Sequence, residues 1–180
     1  MKASFEHINV VVSIIIGLSI TKLLEISSPL LDKKIWDHVH WIQVMWLFNL
    51  LIAQIQFWWS INRYKGKEFT FLSYVLLLLS PVIMFFMCML VIPSEISKPE
   101  DMFSFFRNNF KLFYILATLV VGSNLLDSVI NKIPGRSRKF AQIVLMVFLI
   151  IGVFTSEISY HGILSIITTA MILTITYIDS

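Results

Sequence analysis

Apolar residues dominate six stretches of the chain, roughly 8–30, 40–61, 70–92, 104–130, 140–155 and 159–178. Each approaches the twenty or so apolar residues that a helix needs to cross a bilayer. The polar connections between them are short and read DKKIWDHV, NRYKGKEF, PSEISKPED, NKIPGRSRK and SEIS. They leave no room for a soluble domain. The pattern predicts an all-α, polytopic transmembrane helix bundle of about six spans in a single domain. The fifth stretch is short and the second and fourth carry amides, so five spans plus an interfacial piece is the alternative count.

The third connection carries more than a turn. In SKPEDMFSFFRNNF, Pro99 suits a first helical turn, and Glu100 with Asp101 complements a helix N-terminus. Met102, Phe105, Phe106 and Phe110 then recur at helical spacing, which predicts an interfacial amphipathic stretch over about 99–110 running into the fourth span. Trp36, Trp41, Trp58, Trp59, Tyr64 and Tyr160 fall near the expected helix ends, where an aromatic belt would put them. Pro81, behind Ser80, sits mid-span in the third segment, and Pro29 is expected to kink or end the first.

Composition agrees with this class. Of 180 residues, 57% are hydrophobic and 14% charged, against about 45–50% and 25% in soluble domains. The net charge of +3 comes from a few loop clusters, which argues against a nucleic-acid surface. Lys2, Arg63, Lys65, Lys67, Lys132, Arg136, Arg138 and Lys139 fall on one side, and Lys33, Lys34, Lys98, Arg107 and Lys111 on the other. The richer side is read as cytoplasmic, with both termini there. The opening MKASFEH has an acidic residue and no small-residue cleavage site follows, so a retained first helix is expected. The single cysteine, Cys88, cannot form an intrachain disulfide.

Polar residues inside the apolar stretches are the candidate chemistry. In GLSITKLLEISSPLL, residues 17–31, Lys22 and Glu25 interrupt the first span. On a helix of about 3.6 residues per turn, they share an arc with Ser13, Gly17, Thr21 and Ser28. Ser13, Gly17 and Thr21 form a small-residue stripe that permits close helix–helix approach and self-association. The two charges are either a local pair with the lysine reaching the interface, or groups facing a cavity or a neighbouring helix. The second span repeats the theme with a heptad seam of Trp46, Asn49, Ala53, Gln56 and Ser60. The fourth offers Tyr114, Ala117, Val121, Asn124 and Ser128, with Asp127 beside them; the sixth offers Gly162, Ser165, Thr169, Ile172 and Thr176. Such seams serve as hydrogen-bonding glue or as the lining of a solvated passage.

Other chemistry finds little footing. His38, His40 and His161 lie toward one side with Asp37 and Glu157, a conceivable metal or haem environment. His38 and His40, two residues apart, would point to different sides of a helix, so no cofactor or metal is expected. Met84, Met87 and Met89 read as packing residues. There is no glycine-rich phosphate loop, GxSxG, HExxH or CxxC. An enzyme is not expected.

The stretches VVSIIIGLSITKLLE, HWIQVMWLFNLLIAQIQFWW and LLLLSPVIMFF resemble an uncharacterised family of small bacterial multi-spanning membrane proteins. The resemblance covers the first half of the chain and implies a bacterial cytoplasmic-membrane location, with no activity to transfer. The favoured expectation is a homo-oligomeric, channel-like or membrane-acting effector controlled by a partner protein; antiviral defence enters by analogy only. The alternatives are a non-conducting sensor or assembly subunit, which binds partners through the same seams, and then a small carrier. Residues 1–92 and 93–180 show no internal repeat, which weakens the carrier.

Overall fold

A computed structural model describes residues 5–66, 69–93 and 101–179. It contains six long helices: α1 (Phe5–Ser27), α2 (Trp41–Ser60), α3 (Phe71–Cys88), α4 (Asp101–Ile130), α5 (Arg136–Phe154) and α6 (Ile158–Asp179). Short 3₁₀ turns follow α1 and α2, at Ser28–Leu31, Lys33–His38 and Ile61–Tyr64, and no strand forms among the described residues. Six helical segments, one for each apolar stretch, are long and apolar enough to cross a membrane.

The boundaries differ from the sequence expectation where local chemistry intervenes. Pro29 ends α1 rather than kinking it: α1 stops at Ser27 and Pro29 falls in the first turn of a 3₁₀ segment. Pro81 is accommodated inside α3. α5 begins at Arg136, four residues before the expected start, because Gly135 at φ +121 turns the chain and lets the polar RSRK run form the first helical turn.

The stretch expected to lie at the interface runs without a break into α4. Pro99 and Glu100 fall outside the described residues, and from Asp101 onward the segment is the continuous start of α4. Met102, Phe106 and Phe110 are buried inside the bundle. Helical spacing of apolar residues creates one sticky stripe, and periodicity does not say whether lipid or protein will cover it. Here protein covers it.

Pairwise packing sets the architecture. α2, α3, α4, α5 and α6 close a ring in the order α2–α3–α4–α5–α6–α2, and α1 packs against α3 and α2. The helices alternate in direction. His7 of α1 stacks on Tyr74 near the start of α3, and Ser19 lies beside Cys88 at its end, so α1 and α3 run parallel. Trp41 and Asn49 of α2 meet Gly162 and Ser165 of α6 in the same sense. One end of the bundle therefore carries the α2–α3 and α4–α5 connections, here called the basic end. The other carries the remaining connections and is called the aromatic end.

α1 buries Ile8, Val12, Ile16, Ser19, Leu23 and Ile26, a stripe in steps of three and four. The outside of the molecule is apolar: Phe71, Phe140 and Phe154 are 80%, 68% and 84% exposed. Inside, Gln43, Gln54 and Ser80 have no exposure at all. Soluble proteins put these classes the other way round.

Candidate functional site

The ring encloses a chamber with about 150 Å³ of room for water centres, enough for several waters. Residues of five helices line it, and α1 contributes none. It extends along α2 from Trp46 to Arg63, seventeen residues or roughly 25 Å at 1.5 Å per residue. The expected seam of α2 faces it throughout: Trp46, Asn49, Ala53, Gln56 and Ser60 all contribute to the wall. From α4 come Ala117, Val121, Asn124 and Ser128.

The wall changes character along its length. Toward the aromatic end it is Leu50, Met84, Met87, Ala117, Leu145 and Leu149. Toward the basic end it is Ser60, Arg63, Asn124, Ser128, Arg138 and Gln142. No aspartate or glutamate lines it among the described residues.

Hydrogen bonds organise the basic end. The buried carboxyl of Asp127 accepts from the Tyr64 hydroxyl at Oδ2, and from Asn131 Nδ2 at Oδ1 at 2.7 Å. Acceptance at both oxygens suits an ionised carboxylate. Tyr64 closes α2's extension and Asp127 the end of α4, so this contact ties together the two connections at this end. Asn131 in turn accepts at its Oδ1 from Ser73 of α3 at 3.3 Å. Arg138, only 3% exposed, donates from Nη2 to Ser128 Oγ at 2.7 Å. Midway along α3, Ser80 donates to Asn124 Oδ1 at 2.8 Å and lies 2.8 Å from Ser123 Oγ.

Aromatic rings close the other end. Trp46 packs edge-on against Phe113 and Tyr114, with ring centroids 4.9 and 5.6 Å apart. His161 stacks on Tyr114 and its Nδ1 lies 3.0 Å from the tyrosine hydroxyl. Gln43 fastens this layer from the side: Nε2 donates to the carbonyls of Val91 and Met102 at 2.9 and 3.0 Å, and Oε1 accepts from the His40 backbone. His40 caps α2 by accepting the Ile42 amide at Nδ1, 3.4 Å away, and stacks on Phe103. Burial lowers its pKa below the ordinary histidine value.

The sequence candidates divide into three groups. Gln56 and Asn124 line the chamber, with Asp127 behind Tyr64 at its basic end. Asn49, Ser165 and Thr169 bond chiefly to one another: Asn49 Nδ2 donates to the Ser165 carbonyl at 2.9 Å, and Thr169 Oγ1 donates to Asn49 Oδ1 at 2.7 Å. They join α2 to α6, and α6 lines the chamber with Thr168, Ile172 and Ile175 instead. The third group lies on α1, away from the chamber. Lys22 Nζ contacts Glu25 Oε1 at 3.0 Å, a local pair with the glutamate side chain 63% exposed. Thr21 bonds to the Gly17 carbonyl, and nothing lies within 4 Å of where a Gly17 side chain would begin. Ser13 accepts from Trp58 of α2 at 3.0 Å. Neither Lys22 nor Glu25 lines the chamber, because α1 is outside the ring. Gly17 and Thr21 form no helix–helix seam within the chain for the same reason.

Three important groups were read differently from the sequence. Arg63 and Arg138 were counted as loop cations, and Tyr64 as part of an aromatic belt. Spacing could have found two of them. Arg138, Gln142, Leu145 and Leu149 follow steps of four, three and four, and Tyr64 lies four residues beyond Ser60 on the α2 seam. No group of three histidine, cysteine, aspartate or glutamate side chains suited to a metal occurs among the described residues.

No protein-family model, curated protein or solved structure matches the chain.

Proposed function

We propose that this is an integral membrane protein of the channel-like class, with its solute pathway inside a single chain rather than between copies. One observation carries the reading: polarity is inverted, with an apolar outside and a chamber whose basic end is lined by amides, hydroxyls and two guanidiniums. Polar side chains in a bilayer are costly unless they bond to protein or face water. Here they do both. The aromatic layer is the closed end of the pathway. The positive-inside rule directs the basic end to the cytoplasm, and the resemblance to small bacterial membrane proteins favours the bacterial cytoplasmic membrane.

A pore between copies has weaker support. Asn49, Ser165 and Thr169 are occupied within the chain, and Lys22 and Glu25 satisfy each other. A homo-oligomer would use the outward face of α1, where Gly17 is open.

Cysteine accessibility tests the pathway directly. In a Cys88→Ser background, Ser60→Cys and Gln142→Cys are expected to react in membranes with a small water-soluble thiol reagent. Leu119→Cys, on the outer face of α4, is expected to stay unmodified. Protection of both chamber positions to the level of Leu119→Cys overturns the reading.

A further inference from the structure

The aromatic layer closes the chamber to water, yet one titratable ring in it meets a polar neighbour on one side and a cavity on the other. His161 is only 5% exposed. Its Nδ1 lies 3.0 Å from the Tyr114 hydroxyl, and its ring packs on Tyr114 and Phe110 with centroids 5.2 and 4.8 Å away. Nε2 is buried and makes no hydrogen bond of good geometry, although the Thr155 carbonyl is also near the ring. A buried polar atom left without a partner is costly, and such atoms call for a functional or solvent partner.

A small cavity beside the ring supplies a place for one. It has about 10 Å³ of room for water centres, which is about the space of a single water. Ile42, Phe106, Phe110 and His161 wall it, and the exposed residues Arg107 and Ser156 bring it to the surface of the aromatic end. On the inner side, Tyr114 continues the α4 seam one step beyond Ala117, Val121, Asn124 and Ser128, which line the chamber. Trp46, itself part of the chamber wall, packs edge-on against the Tyr114 ring. Cavity, imidazole, phenol and chamber thus follow one another across the layer.

Imidazole can take a proton at one nitrogen while it releases one from the other. A layer that excludes bulk water can therefore still pass protons, whereas any larger ion would have to part the rings. We infer that His161 and Tyr114 form a proton relay through the aromatic layer, and that the proton is the solute of the chamber. The inference rests on the single-chain pathway proposed above and names what that pathway accepts. A proton taken up at Nε2 from water in the small cavity makes the imidazolium. The Nδ1 proton then passes to the Tyr114 oxygen as the phenol releases its own proton to water in the chamber. One proton enters and one leaves, Tyr114 ends neutral, and rotation of the imidazole about Cβ–Cγ restores the starting tautomer. The titratable and charged groups around the ring are Tyr114 and Arg107 of α4 and Tyr160 of α6, with Ile42 facing it from α2. Glu157, one turn earlier, is exposed, and no aspartate or glutamate lines the small cavity among the described residues. No carboxylate in the cavity wall therefore holds the proton on the ring.

The test is proton uptake by liposomes that hold the full chain and a trapped pH dye, driven by a potassium potential set with valinomycin, with empty liposomes as the blank. Uptake is expected above the blank, and a trapped sodium dye is expected to report no entry. Tyr114→Phe keeps the ring and removes the hydroxyl, and should slow proton uptake roughly tenfold or more. His161→Gln, whose amide does not take up a proton, should do the same. In both variants the thiol labelling of Ser60→Cys should be unchanged, a readout that mere loosening of the layer would raise. If one variant fails to fold, the other decides. Uptake at the wild-type rate in a folded variant overturns the relay, as does sodium entry as fast as proton uptake, which means an open pore. Uptake equal to the blank while Ser60→Cys and Gln142→Cys are labelled refutes the relay and leaves the pathway standing. Absence of both refutes the pathway itself.

Discussion

At the aromatic end, Trp46, Phe106, Phe113 and Tyr114 meet ring against ring, with centroids 4.9 to 5.8 Å apart. At the basic end, Tyr64, Asp127, Asn131, Ser128 and Arg138 meet through directional hydrogen bonds. The two solutions have different by-products. Rings interlock edge to face and fill space, so water is excluded and the layer resists deformation. Hydrogen-bonded side chains must keep their angles, so they leave gaps, and polar gaps are where water and solutes enter. In a bilayer the distinction would be sharper still, because hydrocarbon outside is as apolar as leucine inside and burial alone brings helices together weakly. Packing density secures one end, and directional bonds secure the other.

Phe113→Ala should show the largest effect, since Phe113 is fully buried among three other rings. Emptying such a site costs about 3–5 kcal/mol. Denaturant unfolding in mild detergent is expected to show that loss, and a cost below about 1 kcal/mol would remove the aromatic layer as the rigid end. Tyr64→Phe attacks the opposite end by deleting one hydroxyl. A hydrogen bond to a charged group is worth about 1.5–3 kcal/mol, so the same unfolding measurement should register a smaller loss. Thiol labelling at Ser60→Cys should speed up in that variant, whereas Phe113→Ala at a temperature where it remains folded should leave the rate unchanged. Equal labelling in both would dissolve the distinction between the ends.

The smallest effect concerns pH. His40 holds the start of α2 only while Nδ1 is unprotonated, and its pKa is lowered in the folded chain. The unfolded chain therefore takes up the proton first. The stability contribution is fully present above the ordinary histidine value of about 6.5 and is lost as pH falls from there toward the lower folded value. A melting series from pH 7.5 to 5 should show a modest decline, within the roughly 1 kcal/mol typical of a helix cap. His40→Asn, which caps without titrating, should flatten it. A decline that persists in His40→Asn places the sensitivity elsewhere.

Much of this comparison was legible in the residue pattern, and its gaps have physical causes. The heptad seam of α2 faces the chamber residue by residue, because two amides and a serine among isoleucine, leucine and phenylalanine mark the side turned away from an apolar exterior. On α6 the pattern misses by one residue. Thr168 lines the chamber, while Thr169 turns to Asn49, and only the position of α2 decides between them. Arg138 was hidden because a charged run after a Pro-Gly turn resembles any loop; its burial depends on Ser128 arriving from another helix. Lys22 and Glu25 stand out in the sequence for the opposite reason. An intramembrane charge pair draws attention, but α1 lies outside the ring, and the two side chains meet each other.

That ring has a consequence for biogenesis. Its last joint is between α6 and α2, two helices separated by most of the chain, and Asn49 supplies the bonds across it. If these helices span a bilayer, α2 would enter it about a hundred residues before its partner is made. During that interval the Asn49 amide has no α6 to meet. A half-made chain is an open arc with its polar side unprotected, and the final helix converts that arc into a closed wall. Quality control that recognises unsatisfied amides in the membrane would have a timer in this single asparagine, running from the insertion of α2 to the arrival of Ser165 and Thr169.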